Sequence, residues 1–143
     1  MRINIINVRE EISKREIVEA ICALPDLFRS GSASTVDLVR LSGLPESPEA
    51  LTRAEIVALL AERPELIDGW LRWSEDKRTS SGWFFVSEAG AFVVGFHPEG
   101  ERLVFSDCTE ACAEFVLREI ADLVASLRSN NMFKGRRAKR ARP

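Results

Sequence analysis

The chain has 143 residues, of which 45% are hydrophobic and 29% are charged, with a formal net charge of −2. This size and composition predict one globular domain with its own core and exclude a disordered protein. The apolar runs are shorter than the roughly 18–20 residues of a membrane span, and residues 1–8 lack the pattern of a secretory signal. Because the three cysteines are an odd number, we expect reduced thiols and a cytoplasmic location.

Helical patterns dominate the N-terminal half after a short apolar stretch at residues 3–8, which is a strand or an extended lead-in. Ser13 and Glu16 have the spacing of a capping box. Apolar residues then recur at helical spacing, and Pro25 follows them. We predict a helix over residues 14–24 that ends at Pro25.

Three further helices are predicted before the middle of the chain. Residues 36–42 form a short helix closed by Gly43. A second capping box, Thr52 with Glu55, begins the next helix. Pro64 sits at the first turn of the third, which carries the apolar residues Leu66, Ile67, Trp70, Leu71 and Trp73.

Small and charged residues from 74 to 81 interrupt the helical pattern and precede a three-stranded antiparallel meander. Its strands are rich in aromatic and β-branched residues and cover residues 82–87, 91–96 and 102–105. Alternation places Trp83 and Phe85 on one face and Phe84 and Val86 on the other. Since both faces carry apolar groups, we expect one to pack on helices and the other to be partly exposed or covered.

The last predicted element is a long helix that Asp107 caps and Glu110 supports at the box position. Its apolar stripe ends near Ser129. The order of elements predicts an α+β fold: N-terminal helices, a three-stranded antiparallel meander, and a long C-terminal helix packed on the sheet. We predict a single globular domain over residues 1–129 and a basic, disordered tail over residues 130–143.

Catalytic constellations are sparse. His97 is the only histidine. The sequence therefore does not offer the full set of residues for the usual Ser/His or Cys/His catalytic arrangements or for a two-histidine metal site. Cys108 begins the last helix, where a helix N-terminus lowers a thiol pKa, and a small enzyme using Cys108, His97 and Asp107 is one hypothesis. The alternative interpretation, that His97 is a turn residue and Cys112 a core residue, is favoured. We therefore expect no enzyme activity, no metal and no cofactor.

Charge is distributed unevenly along the chain. Six basic residues lie within the last ten positions, and the other residues hold 14 basic and all 22 acidic groups, a net charge of about −8. An anionic surface repels nucleic acid and speeds encounter with basic proteins. This pattern favours a basic protein as the partner and disfavours nucleic acid and membranes.

Residues 64–128 resemble the small immunity proteins of contact-dependent inhibition and related polymorphic toxin systems. The resemblance is carried by Trp70-Leu71-Arg72-Trp73, Asp76-Lys77-Arg78, Gly82-Trp83-Phe84-Phe85, Phe92-Val93-Val94-Gly95-Phe96, Ser106-Asp107 and Cys112-Ala113-Glu114-Phe115. It implies that the chain binds one cognate toxin domain without catalysis. No functional positions carry over, because immunity proteins use family-specific surfaces.

The charge pattern predicts a recognition surface on and beside the meander, with acidic groups that stand in for nucleic acid phosphates in the cleft of a basic nuclease. The candidate partner-binding residues are Asp68, Trp73, Glu75, Asp76, Glu88, Glu99 and Glu101, with Trp73 as an apolar anchor. The alternative is a winged-helix-like DNA-binding regulator, with residues 36–44 as the first helix and turn. Against it, residues 45–49 are acidic and contain two prolines where a recognition helix needs basic and amide side chains.

Overall fold

The computed structural model describes residues 14–31, 33–76 and 82–140, with side chains through Ser129. The apolar stretch at residues 3–8 and the capping-box Ser13 lie outside these residues. The described elements confirm the predicted α+β fold and are, in chain order, α1 (residues 14–22), α2 (Leu24–Ser30), α3 (Thr35–Ser42), two 3-10 turns (Leu44–Glu46 and Pro48–Ala50), α4 (Arg53–Glu62), α5 (Glu65–Asp76), β1 (Gly82–Glu88), β2 (Ala91–His97), β3 (Arg102–Phe105) and α6 (Cys108–Arg140). None of the helices in these ranges is long and apolar enough to cross a membrane.

Side-chain caps begin three of the described helices, and those at Thr52 and Asp107 were predicted from the sequence. The Thr52 hydroxyl accepts a hydrogen bond from the backbone N–H of Glu55 at 3.2 Å, and Ser34 caps α3 in the same way. Asp107 accepts from the backbone N–H of Thr109 at 2.8 Å at the start of α6. Gly43 ends α3 with φ 84°, a left-handed conformation that glycine adopts without steric cost.

The region around Pro25 differs from the prediction. Helix α1 ends at residue 22, Ala23 forms a turn, and Pro25 lies in the first turn of α2. Proline is tolerated there because its missing N–H has no intrahelical partner in a first turn. The prediction that Pro25 ends a helix of residues 14–24 is therefore wrong, since this proline helps to start a second helix.

Helix α6 is longer than predicted. It continues to Arg140, whereas the apolar periodicity ends near Ser129. Arginine, lysine and alanine favour helix even without an apolar stripe, so the end of the periodic pattern does not mark the end of the helix. The predicted end near Ser129 is wrong, and the division into a domain and a separate tail stays a prediction.

The sheet has the order β1-β2-β3, and both pairs of strands are antiparallel. Phe85 lies opposite Val94, which lies opposite Leu103, and this inner face packs on α5 and α6. The outer face is partly exposed, with Val104 at 65% exposure, and a salt bridge of 2.9 Å joins Arg102 to Glu88 there. The predicted difference between the two faces is thus confirmed.

An aromatic cluster joins the helices to the sheet. The rings of Trp70 on α5 and Phe115 on α6 lie 5.9 Å apart edge to face, and Phe115 stacks on Phe85 of β1 at 5.8 Å. All three side chains are fully buried. The Trp70 indole N–H donates to the backbone carbonyl of Cys22 at 2.9 Å, so the cluster also holds α1 against α5.

Ser74 forms a hydrogen bond with β1, which is an edge strand of the sheet. It is fully buried on α5, and its hydroxyl accepts a hydrogen bond of 2.7 Å from the backbone N–H of Phe85. An edge strand whose buried N–H groups lack acceptors is destabilised. Helix α5 therefore supplies to β1 the bond that a further strand would supply.

We predict that Ser74→Ala lowers the free energy of unfolding by about 1–3 kcal/mol, because it leaves the buried Phe85 N–H without an acceptor. Urea denaturation followed by circular dichroism measures this change. The matched control is Ser87→Ala on β1, the strand of Phe85, where the serine is exposed, and it should change the free energy by less than about 0.5 kcal/mol. Equal effects of the two substitutions would contradict the role assigned to Ser74.

Candidate interaction surface

Helix α5 buries one side and exposes a mostly acidic one. Leu66, Ile67 and Trp70 face the core. The exposed side chains at positions 68, 72, 75 and 76 share the opposite face, because they are spaced by one or two helical turns. They are Asp68, Arg72, Glu75 and Asp76, so this face has an excess of negative charge.

The three carboxylates on this face, Asp68, Glu75 and Asp76, form no ion pair with the residues that the structure describes. Surface carboxylates in this state are available to cationic groups of another molecule. The structure thus groups three of the seven predicted partner-binding residues on a single helix face.

Exposed apolar side chains of α2 lie next to this acidic face. Phe28 and Leu27 are 45% and 42% exposed, and the Phe28 ring meets the Trp73 ring edge to face at 5.7 Å. Asp26 is also exposed. Its Oδ1 lies close to Gly69 of α5, at 3.7 Å from the position that a Cβ atom would take on that glycine. Helix α2 therefore adds both apolar area and a further carboxylate beside α5.

We call this region the α2–α5 surface, and it comprises Asp26, Leu27, Phe28, Asp68, Trp73, Glu75 and Asp76. An apolar centre with a charged rim is the usual anatomy of a protein–protein interface. Sequence reasoning missed the α2 contribution. The available signal was Pro25 as the first-turn residue of a helix, followed by exposed apolar residues.

Trp73 is held in place rather than free to move. Its indole N–H donates to Glu119 Oε2 at 2.7 Å, and its ring packs against Trp70 at 5.4 Å. The side chain is half-buried. The bond to Glu119 of α6 holds the ring that Phe28 contacts. A fixed aromatic side chain loses little conformational entropy on binding, which suits an interface anchor.

The acidic residues of the meander are placed differently. Glu88 is bonded to Arg102 at 2.9 Å, and Glu101 to Arg118 at 3.2 Å, so arginines already neutralise both. Glu99 is exposed in the turn between β2 and β3. These three predicted residues lie on the sheet and its turn, not on the acidic face of α5.

Glu101 takes part in a charged network that links the sheet to the helices. Arg118 contacts Glu114 at 2.6 Å and lies over the Trp83 ring at 4.5 Å. Glu114 is nearly buried and is also bonded to Arg53 at the start of α4. This network connects α4, α6, β1 and the turn before β3, which is a structural use of the Glu101 carboxylate.

The surroundings of Cys108 oppose the ionisation of its thiol. Burial raises the pKa of its thiol, and the negative charges of Asp107 and Asp68 raise that pKa further. The lowering predicted from its position at a helix N-terminus is wrong, because these effects oppose it. Burial also raises the pKa of Cys22 to about 12, and Cys112 is a buried core residue as predicted.

His97 and possible metal ligands are the other candidate groups for catalysis or metal binding. His97 is exposed at the end of β2. The described ranges bring together no group of three His, Cys, Asp or Glu side chains able to hold a metal ion. The expectations of no enzyme activity, no metal and no cofactor stay predictions.

The segment after α3 bears on the DNA-binding alternative. Where a recognition helix would follow the turn at Gly43, the chain forms two 3-10 turns of three residues each. A recognition helix needs several turns of α-helix to reach base edges in the major groove. The geometry of α3 and the following segment therefore does not favour that alternative.

Comparison with protein-family models, with curated proteins and with solved structures found no match to this chain. The α2–α5 surface is accordingly interpreted from its own geometry and charge.

We predict that Asp68→Asn speeds the modification of Cys108 by iodoacetamide near neutral pH, because it removes a negative charge that raises the pKa of this thiol. Peptide mass spectrometry at timed intervals measures the rate at Cys108. Glu75→Gln, which removes an equal charge farther along the same face, is the matched control. A rate that is the same in both variants would show that Asp68 does not influence the thiol.

Proposed function

We propose that this chain is a binding protein that uses the α2–α5 surface to recognise a basic protein, and that its partner is a cognate toxin domain that it neutralises. The observation that carries the proposal is the set of three α5 carboxylates that form no ion pair within the described residues and lie beside the exposed Phe28 and the fixed Trp73. In this proposal the chain acts in the cytoplasm and catalyses no reaction.

Charge supports a basic partner. Asp26, Asp68, Glu75 and Asp76 give the surface four exposed acidic groups, while the exposed cations among the described residues of α2 and α5 are Arg29 and Arg72. Complementary charge speeds association and excludes partners of the same sign. A nuclease cleft, which is built to hold phosphates, is a basic surface of the required kind.

Apolar contact supports a stable complex rather than a transient encounter. Surface charges at a rim change the association rate more than the dissociation rate. A central aromatic residue that becomes fully buried in the partner supplies most of the remaining free energy. Phe28 is the side chain of this surface that combines large apolar area with high exposure.

The acidic residues are tested with Asp68→Asn, Glu75→Gln and Asp76→Asn in one variant. Affinity capture from the native strain and mass spectrometry identify the partner, and biolayer interferometry with that purified protein gives its rates. Loss of the three charges should slow association at low salt at least about tenfold, since electrostatic steering contributes roughly 10–1,000-fold. The matched control removes the same charge elsewhere, with Glu16→Gln, Glu46→Gln and Glu49→Gln.

The proposal requires that the captured protein be basic, that it be toxic when expressed alone, and that this chain restore growth when co-expressed. Equal association rates for the two triple variants would contradict the α2–α5 surface. A captured protein without toxicity would contradict the immunity role.

The apolar anchor is tested with Phe28→Ala. We expect the dissociation rate to rise, with a loss of binding free energy of about 2 kcal/mol, because a buried aromatic contact is removed. Leu41→Ala is the matched control, since Leu41 is 78% exposed and lies on α3 rather than on the α2–α5 surface. If Phe28→Ala binds as tightly as Leu41→Ala, the anchor is not Phe28.

A further inference from the structure

The C-terminal part of α6 has a charge unlike that of any other segment. No aspartate or glutamate follows Asp122, whereas seven of the 20 lysines and arginines do. Six of these seven lie within the helix, and the last core side chain before them is Leu127. The helix therefore ends in a segment whose charged residues, by sequence, are all cationic.

We call residues 128–140 the cationic arm. Its basic residues are Arg128, Lys134, Arg136, Arg137, Lys139 and Arg140. Arg128, the first of them, is exposed. Met132 and Phe133 are the only large apolar residues of the arm, so its sequence offers no stripe for packing on a core.

The helical backbone changes the electrostatic argument against nucleic acid. Repulsion of nucleic acid by the acidic residues matters most where acidic and basic residues share one surface. A helix rises about 1.5 Å per residue, so Arg140 lies about 20 Å along the axis from Leu127. The Debye length at physiological salt is about 8 Å, so most of the repulsion from the acidic part is screened along the arm.

The chemistry of the arm fits the phosphates of nucleic acid better than other polyanions. Four of its six cations are arginines, whose planar guanidinium groups bind phosphate oxygens in pairs. A helix that lies on an anionic membrane needs a broad apolar face, which the two large apolar residues of the arm do not provide. Duplex DNA presents about one charge per 1.7 Å of axis, so a segment of about 20 Å can meet several phosphates.

We propose that the cationic arm binds nucleic acid through its phosphates, without sequence specificity and independently of the α2–α5 surface. The arm gives the chain a second interaction site of opposite charge. Such a site would hold the protein near nucleic acid while the acidic surface stays free for a basic protein.

The test measures the binding of the full chain to a short fluorescein-labelled DNA duplex by anisotropy over a range of salt concentrations. The arm variant carries Arg136→Ala, Arg137→Ala, Lys139→Ala and Arg140→Ala. The control variant removes the same charge from exposed arginines of the helices, with Arg29→Ala, Arg40→Ala, Arg63→Ala and Arg72→Ala. Circular dichroism and urea denaturation establish that both variants fold.

We expect the unsubstituted chain and the control variant to bind at about 50 mM salt, with affinity that falls steeply as salt rises. The arm variant should bind at least about tenfold more weakly, and the slope of log K against log salt should decrease by up to about 3.6 for four lost phosphate contacts. A labelled duplex of a different sequence should give the same values.

Three results would overturn the proposal. The first is the absence of binding by the unsubstituted chain at about 10⁻⁴ M protein in low salt. The second is equal affinity of the arm and control variants. The third is binding to phosphatidylserine vesicles or polyglutamate that is tighter than binding to DNA, which would assign the arm to a membrane or to an acidic protein.

Discussion

The packing of Trp70 and Phe85 against Phe115 holds the helices to the sheet. Each ring comes from a different element, and each is fully buried. The bond from Trp70 to Cys22 and the bond from Phe85 to Ser74 fix the direction of α5 within this core. Since one face of α5 is committed to the cluster, the opposite face with Asp68, Glu75 and Asp76 must point outward.

Ion pairs divide the acidic residues into two groups with different roles. Glu101 and Glu114 are bonded to Arg118, and Glu88 is bonded to Arg102, so these carboxylates connect elements of the fold. The carboxylates on the exposed face of α5 have no such partner in the described part of the chain. Three carboxylates that form no ion pair in the described part of the chain therefore share one face of α5 beside Trp73, while others, such as Glu16, Glu46 and Glu49, lie elsewhere on the surface.

The sequence was sufficient where structure depends on neighbours along the chain. The caps at Thr52 and Asp107 are local, and the alternation in the meander specifies which residues share a face. Pro25 was misinterpreted because proline can either follow a helix or begin one, and only the packing of α2 beside α5 decides between the two. The end of α6 was misplaced because apolar periodicity reports packing, while helix formation also depends on the propensity of exposed residues.

The candidate site was only partly predictable for a related reason. The acidic face of α5 follows from helical spacing within one element. The contact between Phe28 and Trp73 and the bond from Trp73 to Glu119 join residues 45 and 46 positions apart, and no local pattern specifies them. The pairing of Glu88 with Arg102 depends on the register of three strands, so a sequence alone counts Glu88 as an available charge.

Hydrogen–deuterium exchange of the chain with and without its purified basic partner tests the central claim most directly. We predict slower exchange on binding in α2 and along α5, with little change in α4 and in the turn between β2 and β3. Slower exchange confined to that turn or to α4, with α2 and α5 unchanged, would contradict the α2–α5 surface as the site of recognition.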